Sequence, residues 1–285
     1  MKKQALLTIL PLVSALPGVL VGCMVMRLNH ISAPFQNIAA LLLGGLISCL
    51  YLSGPHRAKP KAEKGYTAIL VCAGALCCSF LNSGIDGVHR WIRLGSLSLN
   101  AAFIFVPMAL GGIDQLFKLG RQRTAYVSAS LIGAILFLQP DASMVTALAM
   151  TMTPALWYDR KYRALQRTAF AILLALAAVS WFRLESPEPV SHVEGILSLS
   201  KASGWELWLA SLLSLLILFC PFVAGLRRES SRPFCAGNIL FYAGLLAAVC
   251  TGLFPVPLLG NGASPILGYL ISSTYAVRQL KACER

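Results

Sequence analysis

The sequence predicts an all-α integral membrane protein of ten transmembrane helices with both chain ends in the cytoplasm. Three observations carry that prediction. Of 285 residues, 57% are apolar and only 12% are charged, about half the charged share of an ordinary soluble domain. Apolar stretches near the length of about 20 residues that spans a bilayer recur along the whole chain. Lys and Arg gather in alternate connecting segments, as the positive-inside rule requires.

The predicted spans are 5–26, 36–53, 66–84, 99–117, 123–140, 142–158, 167–183, 205–224, 237–254 and 263–277, and residues 1–285 read as one polytopic domain. The first span follows Lys2-Lys3 like the core of a signal peptide. Its apolar run is long, and no small-residue cleavage site precedes a polar mature domain, so it is expected to be retained. The basic segment 54–65, with Arg57, Lys59, Lys61 and Lys64, determines topology between spans two and three. The pair 123–140 and 142–158 is split only by Gln139-Pro140-Asp141. Merged into one helix, it would place Arg160, Lys161, Arg163 and Arg167 outside. Kept as two, it leaves only Arg27, Arg90, Arg93, Arg183 and Lys201 of the 24 basic residues away from the cytoplasmic face. The net charge of +13 then follows from topology and attraction to anionic membrane lipid; nucleic acid is not an expected partner.

The longest loop, 184–204, falls on the outer side. Nine cysteines, at 23, 49, 72, 77, 78, 220, 235, 250 and 283, lie in or beside apolar spans except for Cys283. Their odd number and the lack of a Cys-x-x-Cys pair mark small membrane-embedded side chains rather than disulfides. His30, His56, His89 and His192 are scattered, and no His, Cys and carboxylate cluster has metal-ligand spacing. No metal site or cofactor is required by the sequence; a divalent cation is compatible with it.

Four outer segments carry polar chemistry. In Asp86-Gly87-Val88-His89-Arg90-Trp91-Ile92-Arg93-Leu94-Gly95, Trp91 and Ile92 suit the headgroup boundary. Arg90 and Arg93 are three apart, so a helical turn would put both on one face. There they either clamp a phosphate or meet lipid headgroups from an interfacial turn. In Gln139-Pro140-Asp141, proline breaks the helix, and Asp141 is placed to cap the next one. The segment Glu185–Gly195 holds Glu188, His192 and Glu194 and is either a site of general-base chemistry or a solvated acidic loop. The segment Phe254–Pro265, with Asn261, Gly262 and Ser264, is either a cavity-lining re-entrant stretch or a plain turn.

Together these segments resemble the SEDS family (shape, elongation, division and sporulation; FtsW-, RodA- and SpoVE-type proteins). Gly87-x-x-Arg90-Trp91-Ile92-Arg93-Leu94-Gly95 is similar to that family's Gly-x-x-Arg-Trp-Ile-x-Leu-Gly. Gln139-Pro140-Asp141 matches its Gln-Pro-Asp between spans five and six. Pro187 to Glu194 resembles its Pro-Glu-Ala-His-Thr-Asp stretch before span eight, and Pro257 to Ser264 its Pro-Phe-x-Ser-Tyr-Gly-Gly-Ser stretch. The resemblance covers essentially the whole chain and marks it as a short, divergent member.

That resemblance implies a peptidoglycan glycosyltransferase of the bacterial cytoplasmic (inner) membrane. It would polymerise lipid II, an undecaprenyl-diphosphate-linked precursor, at the outer face, in division or shape control, beside a class B penicillin-binding protein. It implies a base at Glu194, with His192 as the alternative, and diphosphate binding by Arg90 and Arg93. Trp91, Gln139, Asp141, Asn261, Gly262 and Ser264 would line or shape the cavity. The chain also departs from the family. Its outer loop before span eight is shorter, Asn100-Ala101-Ala102-Phe103 replaces Gln-Pro-Ser-Glu, and Lys201-Ala202-Ser203 replaces paired glutamates. These departures open two alternatives: a catalytically silent membrane partner of a penicillin-binding protein, or a transporter of a lipid-linked sugar.

Overall fold

The structure is a computed structural model that describes residues 2–31, 34–54, 62–95, 97–155, 162–183 and 187–282. His56, Arg57, Lys59, Lys61, Arg160, Lys161, Glu185, Cys283 and Arg285 lie outside the described residues. Among those described, seven helical stretches are long and apolar enough to cross a membrane. They are Gln4–Leu28, Phe35–Ser53, Ala62–Leu81, Ala101–Lys118, Arg163–Phe182, Trp205–Leu226 and Arg232–Val249. Two shorter apolar helices, Gln122–Leu138 and Ala142–Thr151, lie among them. The protein is thus a helical, multi-pass membrane protein.

In chain order the helices are α1 (Lys2–Leu28), α2 (Phe35–Ser53), α3 (Ala62–Cys78), α4 (Ala101–Lys118), α5 (Gln122–Leu138), α6 (Ala142–Thr151) and α7 (Arg163–Phe182). They continue with α8 (Ile196–Ser203), α9 (Trp205–Ile217), α10 (Cys220–Leu226), α11 (Arg232–Val249) and α12 (Ala263–Ala282). Strands β1 (Trp91–Leu94) and β2 (Leu97–Asn100) form an antiparallel hairpin before α4.

Several boundaries differ from the sequence expectation for local physical reasons. The eighth span is broken between α9 and α10, because Pro221 offers no N–H to continue the helical ladder. The ninth begins at Arg232, five residues before the expected 237, with Pro233 in its first turn. The expected loop 184–204 contains α8. Ile196 and Ser200, one helical turn apart, are buried while Lys201 is exposed, so this helix is amphipathic. Gly204, at φ 140°, ends it.

The chain divides into two compact units, Met1–Arg57 with Glu188–Ser231 and Leu246–Arg285, and Ala58–Pro187 with Arg232–Leu245. In the first unit α1 packs on α2, α9 and α12. Gly18 and Gly22 of α1 form a small-xxx-small stripe. A Cβ on Gly22 would lie 2.2 Å from the Leu259 carbonyl oxygen, so only glycine lets that loop approach. Tyr269 meets Phe222 edge-on at 6.2 Å and donates its hydroxyl to the Leu218 carbonyl. The buried Lys281 ammonium donates to Thr8 Oγ1 at 2.6 Å and to the Leu52 carbonyl at 2.9 Å.

In the second unit α3 and α4 come together at Gly65 and Gly112. A Cβ on either would lie within 3.0 Å of the other's carbonyl oxygen. Helices α5, α6 and α7 pack on one another, and Trp181 Nε1 donates to Thr146 Oγ1 across the α7–α6 contact.

Candidate functional site

The polar residues singled out in the sequence fall into two clusters, one in each unit.

In the second unit the centre is Arg90. The segment that would have been a helical turn is the β1–β2 hairpin, with Trp91 opposite Asn100 and Arg93 opposite Ser98. Gly95, at φ 62°, turns the chain between the strands. Alternation along extended backbone separates residues three apart. Arg90 is accordingly buried while Arg93 is exposed, and the shared face expected of the two arginines does not form.

Arg90 donates from Nη2 to the Pro140 carbonyl. Its Nε lies 3.6 Å from Asp141 Oδ2, the two side chains being 4% and 2% exposed. The expected cap is present: Asp141 Oδ1 accepts the Met144 N–H at 3.2 Å and the Ser143 hydroxyl at 2.8 Å. Asp141 therefore answers a guanidinium with one oxygen and a helix start with the other.

Gln139, fully buried, donates through Nε2 to the Leu76 carbonyl and to Ser79 Oγ. Ser79 reaches the His89 carbonyl at 2.6 Å. The motif residues thus tie the end of α3, the chain entering the hairpin, and the α5–α6 corner into one buried polar network. Trp91 is half-buried on the hairpin.

In the first unit the centre is the turn 190–195. The Val190 carbonyl accepts from Val193, Glu194 and Gly195, and Glu194 Oε2 accepts the Val190 N–H at 2.9 Å. Glu194 thus closes its own turn with one carboxylate oxygen. Its other oxygen and the His192 imidazole make no hydrogen bond among the described residues, and both residues are half-buried.

This turn is docked on the loop before α12. The Asn261 N–H donates to the His192 carbonyl at 2.8 Å, and the Val256 N–H reaches the Val193 carbonyl at 3.4 Å. A Cβ on Gly260 would lie 2.7 Å from the Val193 carbonyl oxygen, so glycine is what permits the contact. The loop is held in turn by the start of α2. Asn37 Nδ2 donates to the Gly260 carbonyl, Asn37 Oδ1 accepts the Gly262 N–H, and Gln36 Nε2 donates to Asn261 Oδ1. Ser264 is buried in the first turn of α12.

The structure therefore brings Glu194 and His192 together with Asn261 and Gly262, and Arg90 with Asp141 and Gln139. Sequence reasoning missed Gln36 and Asn37. Their signal was present as two adjacent amides opening an apolar span, where polar groups are costly unless paired. Among the described residues no three His, Cys, Asp or Glu side chains gather as a metal site.

No protein-family model matches the chain, and no curated protein matches it. Solved structures do. The crystal structure of Thermus thermophilus rod shape determining protein RodA superposes with a TM-score of 0.68 at 17% identity, covering 95% of this chain and 95% of that one. A point mutant of the same protein gives 0.68 at 16% identity, over 95% and 96%. A structure described as the structural coordination of polymerization and crosslinking by a peptidoglycan synthase complex gives 0.62 at 16%, over 94% and 96%. At these identities the likeness concerns the fold: the chain has a RodA-like, SEDS-type fold over nearly its full length.

Proposed function

We propose that this chain is a SEDS-like peptidoglycan glycosyltransferase that polymerises lipid II at the outer face of the bacterial cytoplasmic membrane. In this proposal the chain crosses ten times with both ends inside, which puts the 190–195 turn and the hairpin on the outer side. One observation carries it. The turn bearing Glu194 and His192 is pinned by backbone hydrogen bonds to the Val256–Gly262 loop, and these are two of the four segments that resemble the family motifs.

The chemistry is a displacement at an anomeric carbon. A sugar hydroxyl attacks, its proton passes to a base, and the lipid diphosphate leaves with the bonding electrons. Glu194 offers its uncommitted carboxylate oxygen as that base, and His192 is the alternative in the same turn. Of the two arginines, Arg93 presents the accessible guanidinium for diphosphate charge; Arg90 holds the hairpin to the α5–α6 corner through Asp141 and Pro140. A class B penicillin-binding protein is the proposed partner, consistent with the fold it shares with a peptidoglycan synthase complex.

A second proposal, a catalytically silent partner of such a protein, draws on the engagement of Glu194 Oε2 with Val190. Lipid II polymerisation by the purified protein, with and without a cognate penicillin-binding protein, separates the two. Glycan strands from the wild type, and their loss in Glu194→Ala or His192→Ala, support the enzyme. No strands under either condition, with retained partner co-purification, supports the silent partner.

A further inference from the structure

A cavity of about 400 Å³ opens in the second unit, beside Pro140, whose carbonyl Arg90 holds. Phe80, Gly87, His89, Phe137, Leu138, Pro140, Ser180 and Arg183 line it. Three helices end there: α3 through Phe80, α5 through Phe137 and Leu138, and α7 through Ser180 and Arg183.

Its walls divide by chemistry. The Arg183 guanidinium lies 5.6 Å from the Phe137 ring centroid and makes no ion pair among the described residues. The His89 imidazole is stacked on Phe80 at 5.4 Å. Its Nδ1 lies 3.0 Å from the Asn82 carbonyl, which can only accept, so the proton sits on Nδ1 and Nε2 is left for a ligand. Asp141, next to Pro140, is already answered by Arg90, and Asp86 is exposed on the loop.

A full positive charge at one wall calls for an anion. The unprotonated Nε2 of His89 at another wall calls for a hydrogen-bond donor. A bare anion satisfies only the first of these, whereas a zwitterion satisfies both, and the Phe80 and Phe137 faces add a surface suited to an ammonium.

The rim states where that zwitterion comes from. Phe182 is 90% exposed, Leu81 84% and Leu138 64%. Leu81 and Phe182 end membrane-length stretches and Leu138 ends the shorter apolar α5, so these side chains suit an acyl-chain environment. From this arrangement we infer that the cavity binds the headgroup of a zwitterionic phospholipid of the phosphatidylethanolamine class. Phosphate meets Arg183, ammonium donates to His89 Nε2 beside the aromatic faces, and the acyl chains run down past Leu81, Leu138 and Phe182. The cavity has room for a phosphoethanolamine headgroup and is far too small for the disaccharide-peptide of a lipid-linked wall precursor. The inference rests on the membrane fold and stands whether or not the protein polymerises anything.

The test is native mass spectrometry of the delipidated full-length protein with defined lipids added singly: phosphatidylethanolamine, phosphatidylglycerol and diacylglycerol. The expected result is one retained phosphatidylethanolamine, weaker retention of phosphatidylglycerol and none of diacylglycerol. Arg183→Ala should lower the retained fraction about tenfold and Arg183→Lys much less. Arg123→Ala, at the opposite end of α5, should match the wild type and control for general loss of lipid. Equal retention by Arg183→Ala and wild type overturns the site. Diacylglycerol held as well as phospholipid overturns headgroup recognition, and phosphatidylglycerol held as tightly as phosphatidylethanolamine overturns the zwitterion assignment. Thermal stabilisation by millimolar inorganic phosphate that is lost in Arg183→Ala would reassign the site to free phosphate.

Discussion

Asn37 holds Gly262 by its backbone. The Asn37 Oδ1 accepts the Gly262 N–H at 2.8 Å while Nδ2 donates to the Gly260 carbonyl at 3.0 Å. One fully buried amide therefore satisfies both strands of the loop on which the Glu194 turn is docked.

Replacing Asn37 by Leu keeps the branched heavy-atom outline and removes both hydrogen bonds. Two buried backbone groups lose their partner, at a cost of about 1–3 kcal/mol each. A lowered melting temperature in detergent is expected, with faster amide exchange at Gly260–Gly262 and Val193–Gly195 than in the wild type. Exchange that rises only in α2 would show that the loop does not depend on the amide.

Arg90 and Asp141 are expected to behave as a coupled pair. Arg90→Ala leaves a carboxylate buried, and Asp141→Ala leaves a guanidinium buried and also removes the α6 cap. Each should destabilise by about 3–5 kcal/mol. The double variant should cost less than the sum of the two, since neither charge is then stranded. Additive losses in a double-mutant cycle of thermal stability would deny the coupling.

Glycines along the helices should differ sharply in tolerance. Gly22→Ala drives a methyl into the Leu259 carbonyl, at 2.2 Å, and should cost about 1–3 kcal/mol through forced backbone shifts. Gly74→Ala in α3 meets nothing within 4 Å and should be neutral or stabilising by up to about 1 kcal/mol. Melting temperatures of the two variants side by side decide the matter; equal values would contradict the packing.

Glu194→Gln isolates chemistry from structure. The amide oxygen of glutamine can still accept the Val190 N–H, so the turn and the melting temperature should be kept. A general base typically supplies about 10²–10⁴-fold of rate, so under the proposed function lipid II polymerisation should fall by about 10²-fold or more. Retained activity in this variant, with loss in His192→Ala, would move the base to the imidazole.

The parts of this molecule that were legible in the sequence are those set by neighbouring residues. Long apolar runs betray spans because hydropathy is local. Asp141 betrays its cap because a cap needs only the next three residues. The hairpin at Trp91–Asn100 was hidden by an arginine spacing that suits a helix, although Leu97-Ser98-Leu99-Asn100 alternates in the two-residue period of a strand. Asn37 was beyond reach for another reason. Its partners lie 223 and 225 positions away, and a single amide in an apolar stretch announces a need for partners without saying which. The same holds for Arg90: its burial is decided by Pro140 and Asp141, fifty residues on.

The Lys281–Thr8 contact constrains something that helix lengths do not. Among the described residues, seven stretches qualify as spans by length and composition, an odd number. A 2.6 Å hydrogen bond joins a residue near the start of the first helix to one near the end of the last described helix, as a topology with both ends on one side requires. A chain that leaves a surface and returns to it must cross an even number of times. In the proposed topology, with both ends on one side, the crossings beyond those seven are made by helices that fall short of them in length or hydropathy, such as α5, α6 and α12.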